Sequence, residues 1–102
     1  MEEKLIIYGK KETLVYLWED IIYLKAEGRY TKIVTKTEST IICKNLKIFE
    51  KKLEDSPFFR VNKTYMVNTR KISKIIGKQA YVDHIIIPVA RDKIKVLKNK
   101  LK

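Results

Sequence analysis

One cysteine, one histidine, two prolines and three glycines stand among 102 residues. A lone cysteine, Cys43, cannot close an internal disulfide, which fits a reducing, cytoplasmic setting. Within a run of β-branched residues it reads as a small apolar strand residue, and it has no histidine near it in sequence to form a Cys–His nucleophile. A lone histidine, His84, leaves no second imidazole for an acid–base pair or a metal site. Placed between Asp83 and an isoleucine run, it reads as a surface turn residue. No glycine-rich phosphate loop and no dinucleotide fingerprint occurs. No apolar run approaches the length of a membrane span, and the N-terminus lacks a signal-peptide pattern. Asp83 and Asp92 are the sole acidic residues from position 57 onward, whereas a divalent-metal nuclease needs clustered carboxylates. No catalytic residue, metal ligand, cofactor or membrane partner is therefore expected, and the chain does not read as an enzyme.

What is abundant is positive charge, and it is unevenly placed. The net charge is +11. Residues 1–56 are nearly balanced, with 11 basic against 10 acidic residues, whereas residues 57–102 carry 12 basic against 2 acidic. A basic half of this kind points to a polyanion, nucleic acid before an anionic membrane. Drift in an AT-rich genome also raises Lys and Ile, and 19 of the 23 basic residues are Lys. Such drift acts on both halves alike, so it does not explain the asymmetry.

With 45% hydrophobic residues, 102 residues hold one small core, and a single domain is expected over 1–102. Most of the chain reads as short strands. Leu5–Tyr8 and Thr13–Leu17 flank a charged turn as a hairpin, Ile21–Leu24 follows, and Tyr30–Thr37 pairs with Thr40–Cys43 in a second hairpin. Asn45 is placed to cap a helix whose Leu46, Phe49 and Leu53 recur at helical spacing, with Asp55-Ser56-Pro57 as its stop. Five more strand runs follow, at 59–61, 65–67, 72–76, 80–82 and 85–87. Gly77 and Asp83-His84 mark the turns between the last three, and Pro88 ends the last strand or places it at an edge. Residues 93–102 read as a second helix with Ile94, Leu97 and Leu101 in one stripe. The expected fold is mainly β (α+β), with two short helices. It offers no tri-helical helix-turn-helix pattern and no zinc-ligand pairs, so loops or strands have to do any reading of bases.

Three segments qualify. Glu27-Gly28-Arg29-Tyr30 is a turn projecting an Arg and a Tyr, residues that grip guanine or phosphate and that stack or hydrogen-bond; locally it is also an ordinary β-turn. In Phe58–Asn68, apolar residues at 59, 61, 65 and 67 define two strand faces. Asn62-Lys63-Thr64 interrupt them as a polar tip with three short donors, while Asn68 is placed to cap the turn into Arg70-Lys71. Pro88-Val89-Ala90-Arg91 puts Arg91 at a helix start, where a cation opposes the helix dipole, although Asp92 offsets it.

In these segments the sequence resembles the LytTR DNA-binding family, the output domain of many bacterial response regulators of two-component systems. The marks are Asp20–Leu24, Glu27–Tyr30, the helix with Leu46 and Leu53, Phe59–Asn68 with Ile72 after it, and Pro88-Val89 with Arg91. They occur in order from Leu5 to Leu101. The resemblance implies an elongated arrangement of small antiparallel sheets, and loops inserted into successive major grooves of double-stranded DNA at paired direct repeats. It places base reading at Arg29, Tyr30, Asn62, Lys63 and Arg91, and phosphate contacts at Thr64, Arg70 and Lys71. It also implies a second copy on DNA, a monomer in solution and RNA polymerase as a further candidate partner. No receiver domain is expected within 1–102. The family often has His where Asn62 stands and Ser where Ala90 stands. Two other classes compete. A sequence-indifferent nucleic-acid module needs several exposed aromatic residues on one face, yet Tyr8, Tyr16, Tyr23 and Phe59 read as core and Tyr30 alone as free. A protein-interaction module with an incidental basic surface is the other.

Overall fold

The computed structural model describes residues 3–102. Strands β1 (Lys4–Tyr8) and β2 (Thr13–Leu17) pair antiparallel as a hairpin. β3 (Ile21–Glu27), β4 (Tyr30–Thr35) and β5 (Ser39–Ile42) form a meander that α1 (Leu46–Lys52) follows. β6 (Phe58–Arg60) and β7 (Tyr65–Asn68) join the meander, giving a five-stranded antiparallel sheet in the order β5-β4-β3-β7-β6. β8 (Ile72–Ile76), β9 (Gln79–Val82) and β10 (Ile85–Pro88) form a separate three-stranded sheet, and α2 (Ile94–Lys100) closes the chain. This is the mainly β arrangement of small antiparallel sheets with two short helices, drawn out to 44 × 31 × 24 Å.

The five-stranded sheet is buried on both faces. One face packs Ile21, Leu24, Ile33, Phe58 and Met66 against Leu5 and Ile7 of the first hairpin and Leu46, Phe49 and Leu53 of α1. The other packs Ile22, Val61 and Val67 against Ala80, Val82 and Ile87 of the second sheet and Leu97 of α2. Successive residues of a strand point to opposite faces, so Met66 and Val67, at 1% and 0% exposure, belong to different cores. A register shift between Ile21 and Tyr23 marks a bulge in β3. The extra residue lets Ile21 and Leu24, an odd number of positions apart, face the same core.

Several local signals act as the sequence predicts. The Asn45 side chain accepts a hydrogen bond from Ile48 N at 3.2 Å and caps α1. Asn68 is fully buried. Its Oδ1 accepts from Arg70 N at 3.0 Å, and its Nδ2 donates to Trp18 O at 3.0 Å and Ile21 O at 2.9 Å, so one amide ties β7 to the start of β3. Gly77 has φ +61° at the first position of a two-residue turn between β8 and β9, a conformation that L side chains avoid. His84 is an exposed turn residue.

Three expectations change. Tyr8 is 68% exposed rather than core, because it pairs with Thr13 at the turn end of the β1–β2 hairpin, where the Lys52 ammonium lies over its ring. Cys43 lies one residue beyond β5 and is exposed. The helix of residues 93–102 begins only at Ile94, after a tight 3-10 turn over Arg91–Lys93, and of its stripe Leu97 alone is fully buried. Among the described residues no helix is long and apolar enough to cross a membrane.

Replacing Asn68 with Ala strands two buried carbonyls and the turn amide, and is expected to lower unfolding free energy by about 2–3 kcal/mol in chemical denaturation. Gly77→Ala has open space around the new Cβ. Its cost is backbone strain alone, about 1 kcal/mol in the same measurement; a larger loss would show that the turn packs against something.

Candidate nucleic-acid interface

Antiparallel pairing decides which loops share an end of the sheet. Glu27 pairs with Tyr30, so Gly28-Arg29 is the two-residue turn between β3 and β4. Gly28 has φ +62° while Arg29 has no such constraint, the pattern of a turn that demands glycine at its first central position only. Lys25 pairs with Tyr65, and Ala26 N donates to Thr64 O at 2.7 Å. The loop between β6 and β7, residues 61–64, therefore lies beside the Gly28-Arg29 turn.

The third segment is stitched to the second. Ala90 N donates to Val61 O at 2.8 Å, and Asn62 Nδ2 donates to Pro88 O at 2.7 Å. Val89 N donates to Lys78 O at 2.8 Å, which brings in the Gly77-Lys78 turn as well. Four stretches of chain, around residues 28, 63, 78 and 90, thus converge at one end of the molecule. Arg29, Lys63, Lys78 and Arg91 are exposed there, and Tyr30 is 48% exposed. Lys44 joins them from the end of β5, because its carbonyl accepts from Thr31 Oγ1 at 2.8 Å beside Tyr30. Lys47 and Lys93 line one shallow depression with Lys63 and Asn62.

The 61–64 loop contains no glycine and is built by side chains. Asn62 Oδ1 accepts from Thr64 N at 2.7 Å and Tyr65 N at 2.8 Å, an Asx turn. Arg60, the last residue of β6, supports it from below. Its Nε donates to Asn62 O at 3.3 Å, its Nη2 to Lys63 O at 2.6 Å, and its Nη1 to Glu50 Oε1 at 3.0 Å.

Charge at this end is dominated by cations. None of the three ion pairs among the described residues uses Arg29, Lys63, Lys78 or Arg91. Of the acids nearby, Glu50 is engaged by Arg60 and Glu27 by Lys25 at 3.5 Å, while Asp92, on the rim of the same depression, is exposed and in none of these pairs. Lys25 also sits over the Tyr65 ring, which meets Tyr23 edge-on with centroids 5.6 Å apart. Burial, with a smaller push from Tyr65, raises the Tyr23 phenol above its ordinary value, so the Tyr23 phenol stays neutral. Among the described residues no three His, Cys, Asp or Glu side chains converge.

The sequence-derived candidates divide accordingly. Arg29, Tyr30, Lys63, Thr64 and Arg91 come together. Asn62 comes with them, half-buried, and it also builds the loop: its Oδ1 accepts from two backbone amides and its Nδ2 donates to Pro88 O, one of the two hydrogens that nitrogen carries. Arg70 and Lys71 do not join. β7 carries the chain about 13 Å from the Lys63 loop to the opposite end of the sheet, where Arg70 makes a bidentate pair with Glu3 at 3.0 and 3.3 Å. Hydrogen bonding to Arg70, and then its charge, lowers the Glu3 carboxyl below its usual range. Lys71 lies at that same end, its carbonyl accepting from Asp83 N. Counting the strand between Lys63 and Arg70 would have separated them. Arg91 is exposed on the 3-10 turn, three residues ahead of α2, so the helix-dipole argument no longer singles it out. Ala90, at the cap of that turn, makes no side-chain hydrogen bond. Arg60, Lys44 and Lys78 were missed. For Lys78 the signal was present: the equal strand runs 80–82 and 85–87 on either side of Asp83-His84 return Pro88 beside the Gly77-Lys78 turn.

Comparison with known proteins gives the family and the fold. The model of the LytTr DNA-binding domain matches residues 11–102. The sensory transduction protein LytT of Bacillus subtilis is 31% identical over 98% of this chain and 44% of its own length. The transcriptional regulatory protein YpdB of Escherichia coli is 32% identical over 74% of this chain and 34% of its own length. The heme-containing CO-sensing transcriptional regulator RcoM 2 of Paraburkholderia xenovorans is 26% identical over 96% and 39%. The chain thus spans less than half the length of these curated relatives. Among solved structures, the LytTr DNA-binding domain of a putative methyl-accepting/DNA response regulator from Bacillus cereus superposes with a TM-score of 0.77 at 18% identity, over 99% of this chain and 98% of that one. By its sequence across residues 11–102 and by the fold it shares end to end, this chain belongs to the LytTr DNA-binding domain family.

Proposed function

We propose that the chain is a sequence-specific reader of double-stranded DNA serving transcription regulation in the bacterial cytoplasm. Its loops enter successive major grooves at paired direct repeats, one copy to each repeat. The observation that carries this is the convergence of Arg29 and Tyr30, Lys63, and Arg91 at one end through backbone hydrogen bonds. The names of the relatives, regulators of transcription and signal transduction, support the biological setting.

The helices are poor candidates for groove entry. Each spans seven residues, about 10 Å; Leu46 and Phe49 of α1 and Leu97 of α2 are core. A major groove about 12 Å wide admits instead a set of projecting loop tips. Arg29, Lys63 and Arg91 carry donors that match the N7 and O6 acceptors of guanine, and Tyr30 offers a hydroxyl and a ring face. Thr64, Lys44 and Lys78 flank these tips and serve as phosphate contacts, fixing register without reading sequence. Arg70 and Lys71 have no part in binding.

The test begins with selection from a randomised duplex pool at about 0.15 M salt, where phosphate contacts alone are weakened. A motif of two half-sites about one helical turn apart is expected. Retention without any motif would instead indicate a sequence-indifferent module. On the selected duplex, Lys63→Ala and Arg91→Ala are each expected to weaken binding by about 1–3 kcal/mol, with melting temperatures unchanged because both sit on exposed tips. Arg70→Ala is expected to bind like wild type. Loss at Arg70 with none at Lys63 would put the interface at the opposite end.

A further inference from the structure

Glu50 is out of place beside a DNA-binding surface. A carboxylate next to a polyanion is repelled, yet this one lines the same depression as Lys47, Lys63 and Lys93. Its partner accounts for it. Glu50 Oε1 accepts from Arg60 Nη1, while the same guanidinium donates to the carbonyls of Asn62 and Lys63. A guanidinium is a rigid planar fork with donors in fixed directions. Anchoring one prong on α1 orients the other two toward the loop. The Lys63 loop is then held on three sides: from below by Arg60 at two carbonyls, from within by Asn62 Oδ1 at the Thr64 and Tyr65 amides, and sideways by Asn62 Nδ2 at Pro88.

Stability of the fold is a weak reason for this arrangement. The ion-paired side chains are 24% and 45% exposed, and pairs with that much solvent contribute little to folding. All the nitrogens of Arg60 named above face protein acceptors, so its head is committed before any DNA arrives. We propose that Arg60 and Glu50 are positioning residues for DNA recognition: a clamp from α1 through the end of β6 holds Lys63 in its reading conformation without touching DNA. This rests on Lys63 being a DNA contact, as argued above. The clamp has a consequence opposite in sign to simple electrostatics. Removing the Glu50 carboxylate weakens DNA binding, although it makes the surface more positive.

The experiment uses the whole chain and the duplex obtained by selection, with Glu50→Ala, Arg60→Met, Lys63→Ala and the double variants. Expected are a several-fold weakening for Glu50→Ala and about tenfold for Arg60→Met, within the range of one lost base contact, at unchanged melting temperature. In the Lys63→Ala background neither substitution should add a further loss, since both act through that side chain. Amide hydrogen exchange at Thr64 should quicken in both single variants before DNA is added. Tighter binding by Glu50→Ala would overturn the clamp, since the carboxylate would then merely repel DNA. An Arg60→Met loss that persists in full without Lys63 would also overturn it, because Arg60 would be meeting phosphate itself. Should Arg60→Met fail to fold, Arg60→Lys takes its place, losing the fork but keeping the charge. Should Lys63→Ala bind like wild type, the base-contact assignment falls, and unchanged Thr64 exchange in the clamp variants would then overturn the clamp separately.

Discussion

The side-chain amide of Asn62 is the joint on which the functional end of the molecule depends. Its oxygen folds the chain back on itself between β6 and β7, and its nitrogen fastens that turn to Pro88, twenty-six positions away. Without it, the tip carrying Lys63 and the segment carrying Arg91 would have one backbone bond between them, from Ala90 to Val61. Loops seldom hold a defined shape without glycine or a regular ladder. Here a single short amide, capable of both donating and accepting, replaces both.

The rest of the architecture explains why recognition falls to loops at all. The five-stranded sheet is buried on both faces, by the first hairpin and α1 on one side and by the second sheet and α2 on the other. Neither face of the β3–β7 centre is free for a ligand, and each helix is anchored in a core, α1 through Leu46 and Phe49 and α2 through Leu97. What remains accessible is the end of the sheet, where strands turn. Cations at such an end carry no packing duty, so they can be spaced for a partner rather than for the fold. The opposite end closes on itself through Asn68 and the Glu3–Arg70 pair, which ties the beginning of the described chain to the exit of β7.

Much of this was legible from residue order alone, where the physics is local. Asn45 as a cap, the spacing of Leu46, Phe49 and Leu53, the Asn68 turn, and the turns at Gly77 and Asp83 each involve partners within a few positions, and each forms as expected. The strand runs were legible for the same reason, although alternation at 59, 61, 65 and 67 showed only one of the two buried faces of β6 and β7. What could not be read were partnerships over long separation. The pairing of Arg70 with Glu3, sixty-seven positions away, had no mark in the residues around Arg70. The bond from Asn62 to Pro88 was hidden because Pro88 lies in another sheet. Arg60 was passed over inside an apolar run, and Tyr8 was assigned to the core because its own apolar run does not show that the turn end of the hairpin projects into solvent.

Backbone amide chemical-shift mapping of the isotopically labelled chain, titrated with the selected duplex, locates the DNA-binding end of the molecule. If the loops read DNA, the shifts concentrate at residues 28–30, 44, 63–64, 78 and 90–91, with residues 3 and 68–71 unmoved. Shifts centred on 68–71, or spread along the exposed side of α2 with the Lys63 loop silent, would contradict it.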